Sequence, residues 1–520
     1  MLVAILCIQI IPAPKEAATY HGTTFGTTEL SSEIQQESTF AASPKISQQS
    51  DQLSKNPELV SMRTSERPES SAERWILTQV NAGEDADLSK RFPDVADRMV
   101  DSIFITRLLT GHYSQEAKVH SYGVHISNAK IYSRLDLSNE EISYDVSFTD
   151  CSFQDEVNLT GAKLTGKLSL DRSTFNKRAD FRELSINTNL LLEKTVFNGP
   201  VNFYGISIGG NLAADDVQFN EVQEEVNFEK MKIGGYVFLR RAVFKGPARF
   251  YRASVNDNFE TDDATFGERA RLTSFQNMRI NGHALFRRTI FAGPVSFDST
   301  VIGGAFETGD DRGGAQFRGS ADFNNMTAGA VGFPNTRFSG PLLLREMKYQ
   351  RMSSGNPKNL LVMLNLSSYD SGAYAQLEQY CRNTGDLDQA DEVYIQKRRR
   401  ERSQLSMTSK FGNLMLDWLV GYGRRPWRTL FWSTLIVIGA ALFVFRRKDM
   451  QAKDPRDEPR PYSPFLYSLD LLLPIVDLQT ANMWRPKPES RRARRYLPIH
   501  VIAGWILGTV LAAALSGLLK

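Results

Sequence analysis

Cysteine is scarce in this chain: Cys7, Cys151 and Cys381 are the three in 520 residues, each far from the others. That spacing fits neither a disulfide framework nor a thiolate metal site. Charge of one sign is also missing, since 62 Lys and Arg stand against 59 Asp and Glu, leaving a net charge of +3. So even a balance makes no electrostatic case for a nucleic-acid partner. No spacing gathers carboxylates and a base on one face, and Asp262-Asp263 and Asp310-Asp311 read as exposed turns. An enzyme is not expected, and no catalytic, cofactor-binding or metal residue is assigned. Long apolar runs are absent except in the first dozen residues and the C-terminal third, which confines any membrane contact to those places.

What is present is a period. A phenylalanine returns about every 22 residues, with a second large apolar residue about six positions later. The pairs are Phe175/Phe181, Phe197/Phe203, Phe244/Phe250, Phe266/Leu272, Phe291/Phe297, Phe317/Phe323 and Phe338/Leu344. Phe219/Phe228 joins them with an acidic insertion, Glu221 to Glu225, between its members. A period of this length means a solenoid, because one unit cannot bury its own apolar face and must stack on the next. Inward positions such as Phe197, Phe203, Ile208, Leu212 and Val217 fall about five residues apart, so each turn has four short faces. Triplets such as Ala179-Asp180-Phe181 and Val201-Asn202-Phe203 place a polar residue outward between two inward ones. Gly-Pro (Gly199-Pro200, Gly246-Pro247, Gly293-Pro294, Gly340-Pro341) and Gly-Gly (Gly209-Gly210, Gly234-Gly235, Gly303-Gly304) are expected to form the corners, by positive φ or preset turn geometry.

The tandem Val146-Ser147-Phe148-Thr149-Asp150 and Cys151-Ser152-Phe153-Gln154-Asp155 has a small residue, a polar one and a central Phe in each five. In this register the chain resembles the pentapeptide-repeat proteins over roughly residues 122–348. The resemblance implies an all-β fold, a right-handed quadrilateral β-helix, in degenerate form because units of about 22 residues exceed the 20 of a strict coil. Some members of that family mimic DNA through an acidic surface. Here acidic and basic residues are balanced and Arg240, Arg241, Arg249, Arg252, Arg287 and Arg288 face outward, so mimicry and nucleic-acid partners are not expected.

Residues 1–73 read as a disordered lead, rich in Ser, Thr, Gln and Glu. Its first twelve residues are either a signal or anchor segment or simply part of that lead, since a basic start and a cleavage site are not evident. Residues 74–121 show helical periodicity, with Trp75, Ile76 and Val80 on one face and Val100, Ile103, Phe104 and Leu108 on another. They are expected to cap the open end of the solenoid at 122–348. A helical hairpin is expected at 371–405, either packing on the last coil or holding a partner helix.

Residues 411–520 read as a membrane module. The apolar runs 427–445 and 496–519 are each long enough to span a bilayer, giving two transmembrane helices. Between them, 463–484 is too short to span, carries Asp470 and Asp477, and is interrupted by Pro474; it is a re-entrant loop or a flat interfacial helix. Helix, short segment and helix together resemble the pore module of two-transmembrane potassium channels. The residues are Gly421-Tyr422-Gly423 with Pro426, 468–477, Trp484 and Gly504-Trp505, a set similar to the C-terminus of bacterial membrane proteins that join such repeats to such a module. The likeness implies an inner-membrane, multi-pass protein, oligomeric if it forms a pore, with Asp470, Pro474 and Asp477 as candidate pore-loop residues. The potassium filter does not carry over: Gly421-Tyr422-Gly423 precedes the first run and reads as a turn, and 474–477 lacks glycine.

Lys397, Arg398, Arg399, Arg400 and Arg402 precede the module and are candidate lipid contacts, a solvated helix face being the other reading. Basic residues also crowd the loop between the runs, so the side of the membrane on which the solenoid lies stays open. Function is read as conduction or sensing by the module, or as a membrane-anchored scaffold whose β-helix surface binds a protein partner.

Overall fold

The computed structural model describes residues 69–111, 119–267, 271–354, 356–454, 461–473 and 477–516. The lead to residue 68, with the candidate signal at 1–12, and Pro474 lie outside the described residues.

The period of about 22 residues becomes a β-solenoid of about ten turns with parallel stacked coils. One turn runs through Thr174–Phe175, Ala179–Asp180, Ser185–Ile186 and Leu190–Leu191. Each strand pairs in parallel with its equivalent one turn on, as Phe175 with Phe197, Ala179 with Val201, Ile186 with Ile208 and Leu190 with Leu212. Two-residue strands have no stability alone, so the stacking is the fold. Two of the four stacks form sheets of 11 and 10 strands, and the other two merge in a sheet of 19.

The repeated phenylalanines form two ladders. Phe153, Phe175, Phe197, Phe219, Phe244 and Phe266 stack with centroids 4.5 to 5.2 Å apart, and the ladder continues through Phe291 and Phe317 to Phe338. A second runs through Phe181, Phe203, Phe228, Phe250, Phe275, Phe297 and Phe323. The ladders meet edge to face at about 6 Å, for example Phe197 on Phe203. Burying one such side chain contributes roughly 1.5–3 kcal/mol, with about 0.5–1.5 more from the ring geometry. One pair departs from the sequence reading. Leu272 is 46% exposed, and Phe275 takes the ladder position instead. The cause is a second insertion after Phe266, at the same corner where Glu221 to Glu225 are inserted after Phe219.

The corners also correct the expectation. Gly199, Gly209, Gly210, Gly234 and Gly303 do not have positive φ. They are glycine because the coil below comes too close: a Cβ would lie 2.2 Å from the Asn187 carbonyl at Gly209 and 2.1 Å from the Gly209 carbonyl at Gly234. Left-handed backbone falls at the other two corners, and mostly on charged or amide residues: Arg172, Glu183, Lys194, Asp216, Lys230, Arg241, Arg252, Asp263 and Arg288. That conformation is unfavourable for a residue with a Cβ. Hydrogen bonds to the neighbouring coil over-determine it, as Arg172 N–H donates to the Glu193 carbonyl and Asp216 N–H to that of Arg240.

One of these corners carries charges that alternate from coil to coil. Asp215-Asp216 is followed by Arg240-Arg241, then Asp262-Asp263, then Arg287-Arg288, then Asp310. Arg241 grips Asp216 at 2.7 and 2.8 Å, and Arg288 grips Asp263 at 2.7 and 2.9 Å while also pairing Asp310. Arg240 and Arg287 hold Asp215 and Asp262 through one carboxylate oxygen each, and the other oxygen accepts from the backbone N–H of the same arginine. Of the acids read as exposed turns, Asp262, Asp263 and Asp310 are therefore rungs of an ion-pair ladder, with Asp262 buried, while Asp311 is exposed. The Arg241 hydrogen bond holds the Asp216 carboxyl below its ordinary pKa, and Arg288 does the same for Asp263.

Helices α1 (Ser71–Ala82) and α2 (Ser102–Leu109) lie at the N-terminal end of the coils. Ser70 and Glu73 form a capping box, and Glu73 also accepts from the Asp101 N–H at 2.9 Å, tying the two helix starts together. Between them Ala86–Asp87 and Met99–Val100 add strands to the first coil, pairing Val124–Ser127 and Lys130–Ile131. Ile103 is exposed, and Ile105 and Leu109 take the inward positions of α2 instead.

Candidate membrane module

At the other end, Lys348–Ser354 is the last strand and α3 (Pro357–Leu366) follows it. Asn356 caps α3, Pro357 opens it, and Leu360, Leu361, Met363 and Leu364 are buried. Helices α4 (Ser371–Asn383) and α5 (Leu387–Glu401) form the hairpin, burying Tyr374, Leu377 and Cys381 against Ala390, Val393 and Ile395. Gln376 Nε2 donates to the Tyr349 carbonyl at 2.8 Å, which fastens the hairpin to the last strand.

The basic run at the end of α5 has partners within the protein. Arg400 donates to the carbonyls of Leu364, Asn365 and Ser367, so it closes the C-terminus of α3. Arg398 pairs with Glu401 at 2.8 Å, and Lys397 is half-buried on the same helix. Arg399 and Arg402 converge on Asp417 of α6 (Met407–Val420), at 2.9 and 2.7 Å. Arg402 also reaches Asn413 at 2.8 Å and the Tyr422 hydroxyl at 2.6 Å. Burial alone would raise the Asp417 pKa, but the two guanidinium hydrogen bonds outweigh it and hold the carboxyl below its ordinary value. Asp417 lies 15 residues or more from these arginines in sequence, which is why the run looked unpaired.

Gly421, Tyr422 and Gly423 all adopt positive φ, at 55°, 55° and 84°. They end α6 and turn the chain toward α7 (Trp427–Phe443), and the Gly421 and Tyr422 N–H groups satisfy the carbonyls of Asp417 and Leu416. The glycine-tyrosine-glycine motif is thus a helix stop. Arg424 and Arg425 just beyond it reach back to Glu378, Asp391 and Glu392 on the hairpin.

Helix α8 (Pro464–Leu472) packs between α7 and α9 (Arg491–Leu515). Gly504 of α9 permits this, because a Cβ there would lie 2.2 Å from the Leu472 carbonyl. His500 is buried at the same contact, and its Nε2 donates to the Ser468 carbonyl at 2.9 Å. The Asp470 carboxylate accepts from the N–H groups of Leu478 and Ala481, at 2.8 and 2.7 Å. Asp477 accepts from the Gln479 N–H at 2.7 Å. Both acids therefore shape the loop after α8. Beyond it, Trp484–Pro486 pairs antiparallel with Met450–Ala452, and Arg447 lies 4.3 Å over the Trp484 ring.

Among the described residues one helix, α9, is long and apolar enough to cross a membrane, and only 28% of its apolar window is buried, unlike a core helix. Helix α7 has 17 residues, about 25 Å, shorter than the 427–445 run because it breaks after Phe443. Helix α9 starts at Arg491, ahead of the 496–519 run, and its first turns are basic. Between α6 and α7 lies a groove of about 540 Å³ lined by Leu414, Trp418, Trp427, Phe431 and Trp432, with Arg399, Asp417 and Arg428. Nothing in the sequence pattern pointed to it, because its walls come from both sides of the turn.

Among the described residues no three His, Cys, Asp or Glu side chains gather as a metal site. Burial pushes the Cys151 thiol up to about 12 and Cys381 to about 11, so neither is a nucleophile near neutral pH. No protein-family model matches the chain, and neither does any curated protein or solved structure.

Proposed function

We propose that residues 407–516 anchor this protein in a lipid bilayer and that the solenoid is a rigid arm held at the membrane as a surface for a protein partner. The observation that carries this reading is the outward face of the C-terminal helices. Leu435, Ile438, Leu442 and Phe443 of α7, Phe465 of α8, and Ile499, Ile502 and Trp505 of α9 are all exposed. A surface of this kind is unfavourable in water and natural in lipid. With 17 residues α7 sits at the short limit of a spanning helix, so α7 and α9 together would make a multi-pass anchor. The resemblance in the repeats supports a right-handed, quadrilateral coil, and the likeness of the C-terminal module supports a bacterial inner membrane.

Oligomeric conduction is the second reading, and the order α7, α8, α9 favours it. Two helices from one chain cannot enclose a pore, so it requires several copies. The engagement of Asp470 and Asp477 by backbone N–H groups weighs toward the anchor. Two measurements test these readings. Full-length protein resisting alkaline-carbonate extraction from membranes is the expected result, and release into the soluble fraction overturns the anchor. Ion flux in reconstituted liposomes that an Asp470→Ala/Asp477→Ala variant abolishes, with its assembly unchanged, would replace the scaffold by conduction.

A further inference from the structure

We infer that the groove between α6 and α7 binds an anionic phospholipid of the surrounding bilayer, a deepening that rests on the anchor reading. Its charge is unbalanced. Arg399 and Arg402 share the single carboxylate of Asp417. Arg428 donates to the Asp417 backbone carbonyl at 3.0 Å, and no carboxylate lies within ion-pair distance of it among the described residues. A guanidinium so placed keeps donors for a phosphate, whose geometry it matches.

The rest of the groove suits the remainder of such a lipid. Trp418 and Trp432 lie against each other with centroids 4.0 Å apart and planes tilted by 37°, and Trp432 Nε1 donates to the Trp418 carbonyl at 3.3 Å, so this wall is fixed. Trp427 is among the exposed aromatics at the start of α7, where indoles collect at a membrane interface. Leu414 and Phe431 continue the groove into the apolar faces of α6 and α7. A phosphate on Arg428 and Arg399 therefore places an acyl chain along those side chains. A zwitterionic headgroup adds a cation beside Arg399 and Arg428 and is disfavoured.

The test is tryptophan quenching in vesicles of phosphatidylcholine and phosphatidylglycerol in which one lipid at a time carries brominated acyl chains. The full chain carries a Trp505→Phe substitution, which removes the exposed indole of α9 from the signal. Quenching by brominated phosphatidylglycerol is expected to exceed its bulk share by roughly fivefold, the effect of one unpaired cation near anionic lipid. Arg428→Gln is expected to bring the ratio to unity, while Arg428→Lys and Lys448→Gln, the latter outside the groove, retain most of it. Equal quenching by the two lipids overturns the site and leaves the anchor standing. A preference that survives Arg428→Gln also overturns the site. If neither lipid quenches, the anchor fails and the site with it. Arg428→Lys keeps the result readable should Arg428→Gln lose its helical signal.

Discussion

The solenoid and the C-terminal helices handle apolar residues in opposite ways. In the coils the large side chains are inside, Phe197, Phe203 and Phe250 being no more than 1% exposed, and the charged ones pair along the axis. In α7 and α9 the small and polar groups, Gly504, His500 and Ala440 among them, are inside, and Leu442 and Ile502 are 59% and 58% exposed. The first arrangement needs water around it and the second does not. Apolar patterning thus reverses within one chain, and on the anchor proposed above the change of solvent would fall at the Asp417 cluster, where α5 meets α6.

Substitution of inward and outward residues separates the two regions most widely. Phe197→Ala removes one rung from a stack and opens a cavity between Phe175 and Phe219, and is expected to cost about 3–5 kcal/mol. Because each coil contacts only its neighbours, the loss should first appear in local amide exchange around residues 174–220. Leu442→Ala, also a large apolar truncation, is expected to change stability in detergent by less than about 0.5 kcal/mol. A large effect of Leu442→Ala in denaturant unfolding would mean that α7 packs against protein there, and the comparison would collapse.

A buried charge and a close backbone approach give intermediate effects in both regions. Asp417→Ala leaves Arg399 and Arg402 without their shared acceptor and is expected to cost roughly 2–3 kcal/mol. Faster proteolysis between α5 and α6 is the readout, and unchanged cleavage would remove the cluster as the joint. Gly209→Ala and Gly504→Ala each place a Cβ 2.2 Å from a carbonyl oxygen. Each is expected to cost about 1–3 kcal/mol, the first lowering the β unfolding temperature and the second loosening α8 from α9. Free tolerance of alanine at Gly504 would show that α8 and α9 do not pack this closely.

Much of the solenoid was legible because the feature that stabilises it, a large ring once per coil, is also the feature that repeats in sequence. The pairing Phe266/Leu272 failed where an insertion broke the count, and only the ladder itself shows that Phe275 is the true rung. Corners were harder. Left-handed backbone at Arg172 or Asp216 has no local signature, since it is imposed by the next coil, whereas Gly199 and Gly209 advertised a freedom they do not use. In the C-terminal module the glycine-tyrosine-glycine turn was readable from its position ahead of α7. The partners of Arg399, Arg400 and Arg402 were not, because the groups that satisfy them lie 15 to 36 residues away in sequence. Long-range pairing of this kind leaves no periodic trace.

The smallest expected effect tests whether the charged corner stabilises the coils or merely decorates them. Asp216 and Asp263 have folded pKa values below the ordinary 3.8, set first by Arg241 and Arg288. A depressed carboxyl contributes stability that is complete above its unfolded pKa and is lost as pH falls through the lower folded value. The β unfolding temperature should therefore be level from about pH 7 to 5 and decline below about pH 4. Both carboxylates are partly exposed, so each pair is worth about 0.2–1 kcal/mol and weakens in salt. Asp216→Asn/Asp263→Asn should lower the plateau slightly and flatten the acid limb. An acid limb that keeps its full slope in that variant would move the pH dependence to the other depressed carboxyls, Asp310, Asp136, Glu141 and Asp87 in the coils and cap and Asp417 at the α5 to α6 joint. Asp417→Asn in the same background then separates the joint from the coils, since only a limb set at the joint flattens with it.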